Sequence, residues 1–281
     1  MTVVDSLLKG SIDLHVHHGP DAHRARSVDA LDAARDAAAA GMRALVLKSH
    51  DYPTAPLAAI ISRMVSGVTV VGSICLDVQI GGLNLEALAV SGALGARIVW
   101  LPTFSSANQM REQGQEGGLT VLDDKGKLLS VMYDIFELVK KYDMVLATGH
   151  LSKEEVFIVV DEARKKGVRK IVVTHPTPLH PGPKLETDQL IELAKKGAYI
   201  EHCFNGTMPG GHREDPAYIV DAVRRVGAEQ TVLSTDFGQE HNPRPAEGFR
   251  VMLGTYLKYG LTERELEISA KTNPAKLLGL D

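Results

Sequence analysis

Ile12-Asp13-Leu14-His15-Val16-His17-His18-Gly19 reads as a short apolar strand that ends in two imidazoles two residues apart. In a β-strand the side chains of residues i and i+2 leave the same face about 6.5–7 Å apart along the chain, so His15 and His17 can converge on one small cation. Taken alone, such a pair is more often a wet strand rim. The rest of the chain decides its meaning.

Working outward, the same strand-then-helix unit recurs. Short runs rich in Val and Ile are followed by amphipathic stretches that usually end in Gly. The first strand leads to a helix expected over 27–40, with Ser27 as N-cap and Gly41 as stop. Further strands are expected over 44–48, 68–74, 96–101, 144–148, 170–174, 198–203 and 231–235. The helices between and after them are expected over 57–65, 84–94, 130–142, 153–166, 185–196, 215–226 and 246–259. Continuous apolar strands alternating with helices mean a parallel sheet covered by helices, and eight units in one chain predict an α/β fold, a (β/α)8 TIM barrel forming a single domain over 1–281. An open doubly wound sheet is the rival. It should carry a glycine-rich phosphate turn after its first strand, where this chain has His17-His18-Gly19-Pro20-Asp21. The longest stretch outside the repeat, 103–129, is expected to be a lid or binding loop.

Composition narrows the partners. The 281 residues are 44% hydrophobic and 23% charged, as in a water-soluble globular protein. A net charge of −4 without a basic block argues against nucleic acid and anionic membrane surfaces. No segment reaches the length of a membrane span, and Met1-Thr2-Val3-Val4-Asp5 lacks the features of a signal peptide, so a cytoplasmic location is expected. Cys75 and Cys203 lie in different strands without C-x-x-C spacing and read as buried thiols, Cys203 being the more interesting for its place at a strand end.

Barrel enzymes carry their chemistry at the C-terminal ends of the strands. Here those ends hold His15 and His17, Lys48 and His50, His150, His175, Glu201 and His202, and Asp236. Counting His18 with its strand, seven of the eleven histidines lie at strand ends and none in a predicted helix. Neutral imidazole with carboxylate suits a catalytic divalent ion, Zn or Mn in particular, and Asp236 is placed both to ligate and to move a proton.

The set resembles the amidohydrolase superfamily of metal-dependent barrel hydrolases. The resemblance rests on Asp13-Leu14-His15-Val16-His17, Thr148-Gly149-His150, Thr174-His175-Pro176, Ser234-Thr235-Asp236 and the C-terminal Thr272-Asn273-Pro274-Ala275-Lys276-Leu277-Leu278-Gly279-Leu280, and it spans nearly the whole chain. It implies that His15, His17, His150, His175 and Asp236 bind one or two divalent ions and activate a hydroxide. It also points to a branch without the flanking β-sandwich domain. One departure stands out: the fourth strand, Ile98-Val99-Trp100-Leu101-Pro102-Thr103, offers no lysine or glutamate to bridge two ions. Lys48 and His50, an alternating pair at the end of the second strand, are the candidate replacements; Lys48 is either carboxylated as a bridge, cationic beside an anionic substrate, or an exposed rim lysine, and a single-ion site is the alternative.

Candidate substrate-binding residues are His50, Arg24, Glu201, His202 and Asn205. If the seventh strand is regular, only one of the neighbours Glu201 and His202 can line the site. The expected function is hydrolysis of a small-molecule amide, cyclic amide, lactone or ester by metal-activated hydroxide, with Asp236 as proton shuttle and a homo-oligomer possible. The alternatives are a metal-assisted decarboxylase, hydratase or phosphoesterase on the same barrel, or a non-catalytic metal-binding barrel.

Overall fold

The computed structural model describes residues 2–281. In chain order its elements are α1 (Val3–Leu8), β1 (Ile12–His17), α2 (Ala30–Ala39), β2 (Ala44–Lys48), α3 (Ala55–Met64), β3 (Thr69–Val71), β4 (Ser73–Cys75), α4 (Leu85–Ala93), β5 (Ile98–Trp100), α5 (Ala107–Glu112), α6 (Ser130–Lys141), β6 (Val145–Ala147), α7 (Lys153–Lys165), β7 (Ile171–Val173), α8 (Thr187–Lys195), β8 (Tyr199–Cys203), α9 (Pro216–Val226), β9 (Thr231–Ser234), α10 (Pro245–Lys258), α11 (Glu263–Glu267) and α12 (Asn273–Leu278). The result is an α/β fold in which the ladders between these strands run parallel. No described helix is long and apolar enough to cross a membrane.

Two compact units interleave along the chain, one of residues 2–48, 56–72 and 201–281, the other of residues 49–55 and 73–200. The stretch predicted as one strand over 68–74 is two short strands, β3 and β4, one in each unit, with Gly72 between them. Glycine inside an apolar run has no side chain to pack and weakens the strand at that point.

In the first unit β2 lies between β1 and β3. The register pairs Ile12 with Ala44 and His17 with Lys48, so the two strands end level and bring an imidazole and an ammonium to the same end. The register slips between Asp13 and Val16, where two residues of β1 face one of β2; such a bulge re-aims side chains, and His15 sits in it. The end of β9 runs along β1, with Asp236 N–H donating to His15 O (2.9 Å) and His17 N–H donating to Phe237 O (2.8 Å). Helix α10 buries Phe249, Met252, Leu253 and Tyr256, the i, i+3, i+4, i+7 stripe of a helix facing a core. Helix α2 starts three residues later than predicted. Its cap is Asp29, whose carboxylate accepts from Asp32 N–H, and Ser27 lies outside it.

In the second unit β4, β5, β6 and β7 pair in order, and Tyr199–Ile200 of β8 pairs with β7. Helix α6 turns Met132, Ile135, Phe136 and Val139 inward. Helix α7 is fixed by a capping box in which Ser152 and Glu155 satisfy each other's backbone N–H groups. The long connection after β5 is not structureless, since it contains α5, capped by Ser106.

Candidate metal centre

In the first unit the ends of β1, β2, β8 and β9 bring together most of the residues singled out from sequence. Asp236 Oδ1 stands 3.2 Å from His15 Nε2 and 3.0 Å from His17 Nε2. All three residues are buried, Asp236 being 7% exposed. Donors bonded to one ion at about 2.0–2.2 Å lie roughly 3.0–3.4 Å from one another, so each of these nitrogens stands at ligand spacing from the carboxylate oxygen. One ligand atom from each of the three lies within 4.8 Å of the others, a grouping that could hold a metal ion.

Lys48 Nζ lies 2.9 Å from His15 Nε2 and is fully buried. Asn205 Nδ2 donates to Asp236 Oδ2 (3.2 Å) and Asn242 Nδ2 donates to Asn205 Oδ1 (2.8 Å), a chain that orients the carboxylate. Glu201 Oε1 lies 3.3 Å from His15 Nδ1. Cys203 Sγ is 3.6 Å from the same nitrogen, which settles the alternation along β8: Glu201 and Cys203 face His15, and His202 between them is buried on the opposite face. Arg24 is exposed in the loop after β1, its backbone N–H donating to Asp21, and the guanidinium that pairs with Asp21 is that of Arg26.

Backbone and burial tune this cluster. Asp236 has φ 56, a left-handed conformation that a non-glycine residue adopts at a cost of about 1–3 kcal/mol and that recurs at functional sites. Gly238 two residues on has φ 137, and a Cβ there would collide with His17 O. Burial holds His17 well below the usual imidazole range, against the pull of Asp236, so its ring is neutral at neutral pH. Burial also pushes the Asp13 carboxyl up to about 7, although it accepts from Thr235 Oγ1 (2.5 Å), Thr235 N–H and His15 N–H. Burial, then Glu201 and Asp236, drive the Cys203 thiol well above its ordinary value, which leaves it protonated and inert.

In the second unit His150 and His175 are neighbours, with ring centroids 4.9 Å apart, and His180 stacks on His175 at 4.7 Å. His175 has φ 24, a second non-glycine residue in the left-handed region at a predicted ligand position. Gly149 before His150 has φ 60, and a Cβ there would collide with Leu101 O, so only glycine fits. His150 is gripped by α5: Gln109 Oε1 is 2.9 Å from its Nδ1, and Ser106 Oγ and Asn108 Nδ2 donate to its carbonyl.

His50 makes a different arrangement. Its Nδ1 lies 3.0 Å from Asp77 Oδ2 and 2.7 Å from Thr103 Oγ1, and that hydroxyl also donates to Asp77. Asp77 Oδ1 accepts from the N–H groups of Thr103 (2.8 Å) and Ser105 (3.0 Å). Burial works to raise the Asp77 carboxyl, but the bonds from His50, Thr103 and Ser105 outweigh it and hold the group well below the usual carboxylate range. Cys75 lies within 4.8 Å of this pair. Because both Asp77 oxygens are already filled by donors, the group is built as a hydrogen-bonded anchor.

Sequence reasoning missed Asp77, Thr103 and Gln109. Asp77 follows a strand end, as Lys48 and Asp236 do, and that position was its one visible signal. Gln109 sits in the stretch expected as a lid, where nothing in the pattern marks one polar residue above another.

Residues 10–201 match the family of unknown function DUF6282. The chain belongs to this family. No curated protein sequence matches this DUF6282 chain. Among solved structures it is similar to an amidohydrolase from Pseudomonas aeruginosa, 13% identical, covering 98% of each chain with a TM-score of 0.64. It is also similar to the probable dipeptidase PvdM from Pseudomonas aeruginosa, 12% identical over 98% of this chain and 96% of that one, with a TM-score of 0.70. A third is 2,6-dihydroxybenzoate decarboxylase from Rhizobium, 15% identical over 97% and 99%, with a TM-score of 0.54. The DUF6282 chain therefore shares its fold with these solved structures, and residues of this member are grouped as metal ligands could be.

Proposed function

We propose that this DUF6282 protein is a metal-dependent hydrolase that opens an amide, cyclic amide, lactone or ester bond in a small molecule. The observation that carries the reading is Asp236 Oδ1 standing within 3.2 Å of both His15 Nε2 and His17 Nε2 in a buried pocket of donors. His15, His17 and Asp236 would hold a divalent ion, Zn or Mn by the chemistry of imidazole and carboxylate, and His150 and His175 are the ligands proposed in the second unit. When bound, such an ion supplies Lewis acidity that polarises a carbonyl and acidifies water.

The protein's own groups do the rest. Asn205 donates to Asp236 Oδ2 and so orients the carboxylate, which would take a proton from water and return it to the leaving group. His17, kept neutral by burial, offers a nitrogen lone pair at neutral pH. Lys48 stands where it can bridge as a carboxylated side chain or hold an anionic substrate group.

Metal analysis of the purified protein before and after chelation, joined to a screen over lactones, cyclic amides, N-acyl compounds, esters and phosphoesters with Mn or Zn supplied, tests the reading. One or two divalent ions per chain and a turnover lost on chelation are expected. A metal-free protein of unchanged melting temperature that hydrolyses none of them overturns it. A second reading, decarboxylation, is favoured by one fold neighbour being a decarboxylase, and CO2 release from aromatic acids in the same screen would select it.

A further inference from the structure

His15 has a partner on each ring nitrogen. Lys48 Nζ lies 2.9 Å from Nε2, and Glu201 Oε1 lies 3.3 Å from Nδ1. Nε2 also faces Asp236 Oδ1 at 3.2 Å. An ammonium group only donates, so toward Lys48 Nε2 accepts and the ring proton is on Nδ1, whereas toward Asp236 the proton would be on Nε2, and an acceptor at Nδ1 decides between the two. Two acceptors reach Nδ1, and the carboxylate is a far better one than the thiol sulfur of Cys203. The bond therefore runs from Nδ1–H to Glu201.

The second oxygen of Glu201 sharpens the point. Glu201 is 1% exposed, and its Oε2 has no hydrogen-bond partner among the described residues. Burying a carboxylate with half its acceptors unfilled is costly, and an apolar residue of similar size on that face would avoid the cost. Cys203, two residues on and on the same face, shows that β8 places an apolar-like residue there readily.

We infer that Glu201 is a positioning residue for His15: it holds the ring as the Nδ1–H tautomer, so that Nε2 keeps its lone pair and accepts from Lys48 in the metal-free protein. A carboxylate behind a ligating imidazole fixes its tautomer and orientation and raises its basicity. The sequence offered Glu201 as a substrate contact; this assigns it the back of a ligand. The inference rests on the metal-centre reading for its purpose, but the tautomer is a property of the metal-free protein.

The experiment is 15N-detected histidine NMR on metal-free wild type, Glu201→Gln and Glu201→Leu, with His15→Asn used for assignment, together with calorimetric titration of each with Zn and Mn. Wild type is expected to show His15 as Nδ1–H. Glu201→Leu should lose that preference and bind either ion 10- to 100-fold more weakly, while Glu201→Gln, which keeps an acceptor, should retain the tautomer and fall between. A wild-type His15 protonated on Nε2 overturns the inference whether or not the variants fold. So does a folded Glu201→Leu with unchanged tautomer and affinity. If wild type binds neither ion but shows Nδ1–H that Glu201→Leu abolishes, the positioning role stands and the metal reading falls.

Discussion

His15 and His50 both stand at the end of an early strand, both are buried, and both face a carboxylate, yet the two carboxylates are used differently. Asp77 in the second unit has both oxygens occupied by donors from His50, Thr103 and Ser105. Asp236 in the first unit turns one oxygen to Asn205 and the other to the Nε2 atoms of two imidazoles. A carboxylate whose lone pairs are filled by backbone and hydroxyl donors is an anchor for the chain. One that shares an oxygen between two imidazole nitrogens at 3.0–3.2 Å is spaced as a ligand to a cation could be. The two units also share a device: each sets its predicted ligands on backbone that needs glycine or a left-handed residue, Gly238 beside Asp236 and Gly149 beside His150.

The largest test of the contrast is Asp236→Asn. Turnover should fall about 10²- to 10⁴-fold, as for loss of a proton-transfer group, with bound metal reduced and the melting temperature nearly unchanged. Activity within a factor of two of wild type would erase the distinction between the two carboxylates. Next come the glycines. Gly149→Ala and Gly238→Ala each drive a methyl into a backbone oxygen at a positive φ, and each should cost roughly 3–5 kcal/mol in denaturant unfolding. A loss below about 1 kcal/mol at either position would mean that the backbone there can relax, and that its neighbouring ligand is not rigidly placed.

Asp77→Ala should behave in the opposite sense to Asp236→Asn, costing about 3 kcal/mol of stability because buried donors on Thr103, Ser105 and His50 lose their acceptor, while metal content is retained. Its pH dependence follows from the direction of the shift. The folded carboxyl titrates below the unfolded value, so the stabilisation is fully present above about pH 4 and is lost as the pH falls through the folded value. Melting temperatures of wild type and variant should therefore be far apart at pH 7 and converge below about pH 4. A gap that stays constant down to pH 3 would show that Asp77 acts through packing rather than charge.

Much of the fold, and part of the candidate site, is legible in the sequence. Strands β1 and β2 lie where the apolar runs end, because a parallel strand buried on both faces writes itself as a continuous run, and the H-x-H spacing maps directly onto one strand end. The closeness of Lys48 to His15 follows once the two strands end level, and its place at a strand end is what marks Lys48 in the sequence. What the sequence does not show is which of Glu201 and His202 turns inward. That depends on the phase of β8, and every residue of the strand is buried, so no polar alternation reports it. The break at Gly72 is hidden for a related reason, because one glycine in an apolar run is as compatible with a continuous strand as with two short ones. Asp77 and Gln109 escape because their importance lies in partners 26 to 41 residues away, Thr103 for one and His150 for the other.

Gln109 gives the smallest and most particular test. Its Oε1 accepts from His150 Nδ1, the neutral counterpart in the second unit of the carboxylate that Glu201 sets behind His15 in the first. A neutral acceptor fixes a tautomer without raising the basicity of the ring as a charged one does, so the second unit should be the less sensitive to losing it. Gln109→Ala is expected to weaken metal binding or turnover about 10-fold, at the lower end of what outer partners of a ligand contribute. Gln109→Glu should recover the loss, since it restores the acceptor and adds the charge that Glu201 already carries in the other unit. If Gln109→Ala costs as much as Glu201→Leu, the two ligands are held with equal force, and the contrast drawn from the charge of their partners gives way to one of geometry alone.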